Sequence, residues 1–232
     1  FDIPKQILPQ VKENISDFGI TDSAVVGAAI PITALVGDQQ AAAFGQCCFS
    51  PGMVKSTYGT GCFMLANTGA KVLQSNNKLL STVLWKINGA TSYAIEGSIF
   101  VAGAAVQWMR DALKIINDVN ETESVVSGLD HNAGVYLVPA FTGLGAPYWD
   151  PDARGALIGL TRDTGVKHIV RAALEAVCYQ TLDLLRAMQD DGLHMQDGLR
   201  VDGGMSNNKT CMQILSDVLQ KDVHLPHLVE TS

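Results

Sequence analysis

The sequence predicts an α/β domain organised on a mixed β-sheet, and three observations predict it. Strand-like segments follow one another between residues 54 and 96, separated by Gly-containing turns, the pattern of antiparallel hairpins. From residue 103 onward helical periodicity alternates with short apolar runs, the pattern of strands joined through helices. The 232-residue chain is 47% hydrophobic and 17% charged, which gives it the material for a buried core.

Residues 1–20 carry a short helix-like stretch that stops by Gly19 and has no core of its own. Segments 24–28 and 32–36 read as strands. Asp38 then stands where a helix N-cap belongs, ahead of a helix-like run over 39–48. Ser50-Pro51-Gly52 is a turn. Strands are expected over 54–58, 62–67, 79–87 and 92–96, with turns at Thr68-Gly69 and Asn88-Gly89, the second a hairpin signal. Val106, Met109, Leu113 and Ile116 share one face of a helix predicted over 103–116. A polar stretch at 117–124 leads to a strand over 135–138. A loop rich in Gly, Pro and aromatics, 141–154, precedes a strand over 156–160. Residues 168–188 carry the strongest helical period, through Val170, Leu174, Val177, Thr181, Leu184 and Met188. A strand over 199–201, a helix over 207–220 and a strand over 223–225 complete the order, with no internal repeat.

Bulk charge narrows the partners. A net charge of −7 and a pI near 5.1, with no run of Lys or Arg, argue against a nucleic-acid or anionic-membrane surface. No apolar run approaches the roughly 20 residues of a membrane span. Cys47, Cys48, Cys62, Cys178 and Cys211 are an odd set without metal-ligand spacing and read as reduced thiols of a cytosolic protein. His131, His168, His194, His224 and His227 make no ligand set; His224 and His227, three apart, read as surface or strand-end residues. No protein-held metal is expected. The start at Phe1-Asp2-Ile3-Pro4 and the stop at Ser232 read as the limits of a piece of a longer chain.

Four segments carry the chemistry. Asp38, after the apolar run 30–36, sits beyond the C-terminal end of an expected strand, where α/β folds place ligands. It can take the proton of an attacking alcohol, or it can merely cap the following helix. Gly59-Thr60-Gly61 offers a backbone that can approach an anion, plus one hydroxyl donor, or it is a tight hairpin turn. It is neither a P-loop nor a dinucleotide fingerprint. Asp202-Gly203-Gly204 lies between a strand and a helix, a place for a phosphate or ribose or a plain strand-to-helix turn, and Asn207 and Asn208 can cap that helix or reach a ligand. Gly103 repeats this logic at the start of its helix. The loop at 141–154 is long enough to be functional or mobile, or else a surface segment pinned by Tyr148 and Trp149.

The order of these motifs resembles the FGGY carbohydrate kinases, and among them the glycerol kinases. The resemblance is carried by Gly37-Asp38-Gln39-Gln40-Ala41-Ala42, Thr57-Tyr58-Gly59-Thr60-Gly61-Cys62-Phe63, the run from Phe141-Thr142-Gly143 to Trp149-Asp150-Pro151, and Val201-Asp202-Gly203-Gly204. Gly155-Ala156-Leu157-Ile158-Gly159-Leu160 and the segment from His168 to Glu175 look like the signature of the wider family. The resemblance implies a ribonuclease-H-like, actin/hexokinase-type architecture of two lobes closing on ATP and substrate. It makes 1–48 the terminal segment of the family's N-terminal domain and 49–232 its C-terminal, nucleotide-binding lobe, truncated at its end. It implies Asp38 as catalytic base and glycerol ligand, with Gln39 beside it and Phe63 as an apolar wall. Thr60 would meet the γ-phosphate. Gly103, Val106 and Gln107 would line the nucleotide site, and Gly204 and Asn208 would hold its ribose-adenine end. ATP and Mg²⁺ are the implied cofactors, with the ion held by phosphates and water. The intact enzyme is expected to be a cytoplasmic homo-oligomer making sn-glycerol 3-phosphate, and this piece alone to lack turnover. Some bacterial members bind fructose 1,6-bisphosphate through a Gly-x-Arg loop; the matching stretch here is Gly27-Ala28-Ala29, so that regulation is not expected. The alternatives are a sister kinase of a pentulose or gluconate, and a non-catalytic nucleotide-binding module.

Overall fold

The computed structural model describes residues 2–226. A 3-10 turn at Lys5–Ile7 and helix α1, Ser23–Val26, precede helix α2, Asp38–Gly45. Four strands follow: β1 Val54–Tyr58, β2 Cys62–Gly69, β3 Leu80–Ile87 and β4 Ala90–Ile99. Helices α3 Gly103–Asp111 and α4 Thr122–Val125 lead to strands β5 Tyr136–Val138 and β6 Ala156–Ile158. The long helix α5, Val166–Asp190, then strand β7 Leu199–Asp202, helix α6 Lys209–Leu219 and strand β8 Val223–His224 finish the described order.

Among the described residues the main sheet has six strands in the order β3-β4-β2-β1-β7-β8. Short turns make β3-β4 and β2-β1 antiparallel hairpins, β4 also lies antiparallel to β2, and β7 and β8 arrive after α5 and α6 and lie parallel to β1. The expected mixed sheet is therefore present, with its hairpins and its helix-joined strands in the expected order. Strands β5 and β6 pair with each other in a second antiparallel sheet that packs on α5.

The two faces of the main sheet are unequally covered. On one, Val54, Tyr58, Met64, Ile95 and Ile99 pack with Leu174, Val177, Leu184 and Met188 of α5, and α3 and α6 extend the same core. Each such buried aliphatic contributes about 1.5–3 kcal/mol relative to exposure. Tyr58 keeps its hydroxyl satisfied there through Thr181 Oγ1 at 3.0 Å. On the other face a smaller cluster, Ala43, Cys48, Leu65, Leu84, Trp85 and Ala94, lies under α2, and Lys55 is fully buried beside it. Phe44, Phe49 and Trp85 meet edge to face, yet Phe44 and Phe49 are about half exposed (48% and 51%).

Several expected elements are corrected. The helix-like stretch in 1–20 forms only Lys5–Ile7, because Pro4 and Pro9 flank it and supply no N–H. Residues 24–28 are not a strand but α1 and the left-handed Gly27 that ends it, with Asp22 capping through the Ala24 N–H at 2.8 Å. Residues 32–36 form no strand: they carry the isolated bridge Ile15↔Ala34, next to Ile20↔Pro31, and Pro31 brings no donor to a ladder. Ile30, Leu35 and Val36 are exposed, so the buried strand expected before Asp38 is absent. Helix α2 stops at Gly45, short of 48. Strand β2 runs through Thr68-Gly69, taking a bulge there in place of the expected turn. Helix α3 ends at Asp111, and a left-handed Lys114 turns the chain so that Ile116 still reaches the core while Leu113 stays exposed. The polar 117–124 stretch forms a 3-10 turn, Val119–Glu121, and opens α4. Strand β6 ends at Ile158, where Gly159 takes a φ of 81°. The last helix starts at Lys209, after a 3-10 turn at Gly204–Asn207. His227 lies outside the described residues.

Candidate active site

Three backbone turns meet at the ends of β1 and β7. The Gly59-Thr60-Gly61 turn joins β1 to β2, and the start of α3 is sewn onto it. Ala102 N–H donates to Thr60 O (2.9 Å), Gly103 N–H to Gly59 O (2.9 Å) and Ala104 N–H to Thr60 O (3.0 Å). These donors thus hold the turn and are not left for an anion, which corrects the expected role of the Gly103 backbone. A side chain at Gly103 would bring a Cβ within 2.6 Å of Gly59 O. Gly203 follows β7 with a φ of 83°, and a Cβ there would lie 2.5 Å from Tyr58 O. Only glycine lets the third turn close on the first.

Between these turns lies a cavity of about 600 Å³, within the usual size range of small-molecule sites. Thr60, Gly103, Val106, Gln107, Gly204 and Asn208, separated by up to 148 residues of sequence, all line it. Thr60, Gln107 and Gly204 are exposed toward solvent; Val106 is buried and belongs equally to the core. Asn208 resolves its two readings toward structure: it is the N-cap of α6, its Oδ1 accepting from Cys211 N–H (2.8 Å), and its Nδ2 donates to Thr122 Oγ1 (2.9 Å). The opposite wall, Val119, Asn120, Thr122 and Glu123, had no place among the expected site residues. A capping box marks this wall in the sequence, Asp118 at the cap and Glu121 three residues later.

A second, smaller cavity of about 280 Å³ opens on the sheet face beside α2 and is lined by Gln39, Gln40, Phe63, Leu80, Glu96 and Trp149, among others. Phe63 is half exposed on β2, and burial raises the Glu96 carboxyl above the usual carboxylate range. Asp38 lines neither cavity. It is the first residue of α2, exposed, with Gly37 as N-cap, and its Oδ1 accepts from Gln39 N–H at 2.7 Å. The N-cap reading of Asp38 is thereby corrected, and Oδ2 has no hydrogen-bond partner among the described residues. Beside Gln39 lies the buried Lys55. Its Nζ donates to Gln39 Oε1 and to Thr57 Oγ1 (2.9 Å), and Thr57 pairs in register with Asp202, ahead of Gly203. Burial lowers the Lys55 ammonium, against the pull of Asp202 and, more weakly, Asp38.

The 141–154 loop is pinned. Tyr148 hydroxyl donates to Asp183 Oδ2 (2.7 Å), Trp149 Nε1 to Lys78 O (2.6 Å), and Lys78 Nζ to Tyr148 O (3.1 Å). Among the described residues no three His, Cys, Asp or Glu side chains gather as a metal site, and no helix is long and apolar enough to cross a membrane.

A mixed sheet joined to helices, with a cavity at its glycine turns, defines an α/β domain, and comparison with known proteins places it. Residues 54–232 match the profile of the FGGY family of carbohydrate kinases, C-terminal domain, and the chain belongs to that family. It is 59% identical over 232 residues to the glycerol kinase of Coxiella burnetii, covering 100% of this chain and 46% of that protein. Against the crystal structure of Plasmodium falciparum glycerol kinase with ADP it has a TM-score of 0.89 at 41% identity, covering 97% of this chain and 46% of that one. Gluconate kinase from Lactobacillus acidophilus has the same fold, with a TM-score of 0.84 at 17% identity over 99% of this chain and 47% of that one. The chain spans about half the length of the curated relatives it matches.

Proposed function

We propose that this chain is the nucleotide-binding half of an ATP-dependent glycerol kinase, the intact protein converting glycerol to sn-glycerol 3-phosphate. The observation that carries the reading is the meeting of Thr60, Gly103, Val106, Gln107, Gly204 and Asn208 around one cavity, in a chain 59% identical throughout to a glycerol kinase. Residues 49–232 are read as the nucleotide lobe and residues 1–48 as belonging to the substrate-binding lobe. The exposed apolar side chains of that segment, Ile20, Ile30, Leu35 and Val36 among them, support a further packing partner.

In this reading the free oxygen of Asp38 takes the proton of a terminal glycerol hydroxyl as it attacks the γ-phosphoryl group, with Gln39 orienting the acceptor and Phe63 closing its apolar side. The Thr60 hydroxyl, on its exposed turn, donates to the transferring phosphoryl oxygens. Mg²⁺ would neutralise phosphate charge. In this reading the ion is held by phosphate and water. Cytoplasmic residence and homo-oligomeric assembly of the intact protein belong to the same reading.

The test is Asp38→Asn in the intact protein, with glycerol phosphorylation coupled to ADP release. A fall in kcat of roughly 10²–10⁴-fold is expected from loss of a positioned base. Turnover within severalfold of the parent would overturn the role of Asp38. A panel of glycerol, xylulose and gluconate separates the sister activities, with glycerol expected to give the highest kcat/KM.

A further inference from the structure

We propose that Lys55 is a positioning residue for the acceptor, acting through Gln39. It dictates which end of the Gln39 amide faces the cavity beside α2, so that Gln39 meets a substrate oxygen only as a hydrogen-bond donor. The inference rests on the reading of Gln39 as an acceptor-site residue.

Lys55 is the second residue of β1, opposite Leu65 in register, and its side chain is fully buried on the face under α2. Among the described residues it takes part in no ion pair within 4.0 Å. Its hydrogen bonds go to two neutral groups, Gln39 Oε1 and Thr57 Oγ1, with Asp202 and Asp38 acting only at longer range. A buried ammonium needs acceptors, and it can itself only donate. A flipped Gln39 would set an NH₂ against an NH₃⁺, two donors with nothing between them. The amide therefore has one tolerable orientation, with its carbonyl toward Lys55. Its NH₂ has no partner among the described residues and is the end left for the cavity that Gln39 lines.

The consequence is chemical. Gln39 offers a donor, and Asp38, the preceding residue of α2, offers a carboxylate oxygen that accepts. A donor and an acceptor on consecutive residues suit one hydroxyl group, whose oxygen takes a hydrogen bond while its proton is given away. A carbonyl or carboxylate oxygen would satisfy Gln39 and leave Asp38 facing a lone pair. Lys55, which need not touch the substrate, would thereby favour an alcohol over an aldehyde or acid at this position.

A double-mutant cycle on the intact protein tests this, with KM for glycerol and KM for ATP as separate readouts. Lys55→Met and Gln39→Met are each expected to raise KM for glycerol about tenfold, the size of one lost hydrogen bond in a buried site, with KM for ATP within about twofold. In the Gln39→Met background, Lys55→Met should add less than about twofold. Multiplicative effects, or a parallel rise in KM for ATP with Lys55→Met, would overturn the proposal. A raised KM for glycerol in Gln39→Met with none in Lys55→Met overturns it alone. An unchanged KM in Gln39→Met overturns the acceptor-site reading beneath it. Should Lys55→Met not fold, Gln39→Glu carries the test: it gives Lys55 an ion pair and removes the donor. It should raise Tm and still raise KM for glycerol about tenfold. An unchanged Tm or an unchanged KM in that variant would overturn the proposal.

Discussion

At the scale of single residues, the site depends on what certain positions will not tolerate. Gly203 has a left-handed backbone and no room for a Cβ, which would lie 2.5 Å from Tyr58 O. Gly203→Ala should therefore cost more than about 2 kcal/mol in urea unfolding, well beyond an ordinary surface change. Cys62 shows burial acting on titration. Its thiol is pushed up to about 12 from 9.0, mainly by desolvation, and Cys48 to about 11 for the same reason. A folded value above the unfolded one means stability that is complete below pH 9 and is lost as pH rises toward 12. The urea midpoint should fall between about pH 8.5 and 10.5, and Cys62→Ser should lessen the fall. The need for glycine at 103 was legible as tight backbone, and its reason is the packing of α3 on the first turn, where a Cβ would lie 2.6 Å from Gly59 O. The partnership of Gln39 with Lys55 was not legible, because the two come together only when α2 lies across β1.

Elements were legible where local chemistry agreed with the final packing. The hairpins β1-β2 and β3-β4 lie between the turns the sequence marks, and the helix α5 buries the face its period marks. The segment before α2 misled because an apolar run reads as a strand whether or not a sheet receives it, and here it meets only residues 14–21 through scattered backbone bonds, such as Ser16 N–H to Thr33 O, and stays exposed. Helix α6 illustrates an element that serves the site from outside. Its cap residue Asn208 also holds Thr122 of α4, so one amide fixes two walls of the larger cavity. Asn208→Ala should cost about 1–2 kcal/mol of stability through the lost cap. It should also raise KM for ATP severalfold while leaving KM for glycerol near the parent value, measured by steady-state kinetics on the intact protein.

At the scale of the whole molecule, one sheet face is sealed by α3, α5 and α6 while the other is only partly covered by α2, and the candidate site straddles the boundary. The larger cavity opens where β1, β7 and α3 meet; Gln39 and Phe63 sit apart from it, on the open face, with Asp38 at their edge. Motif order in the sequence pointed to both groups, but their separation follows from sheet topology, which places β1 between β2 and β7. The account's central claim is that the cavity walled by three glycine turns takes a nucleotide. Hydrogen–deuterium exchange of the intact protein with and without ADP tests it most directly. Protection is predicted at 58–61, 103–107, 119–123 and 204–208, with β5 and β6 unchanged. Protection that spares these four segments while ADP is bound would contradict the account.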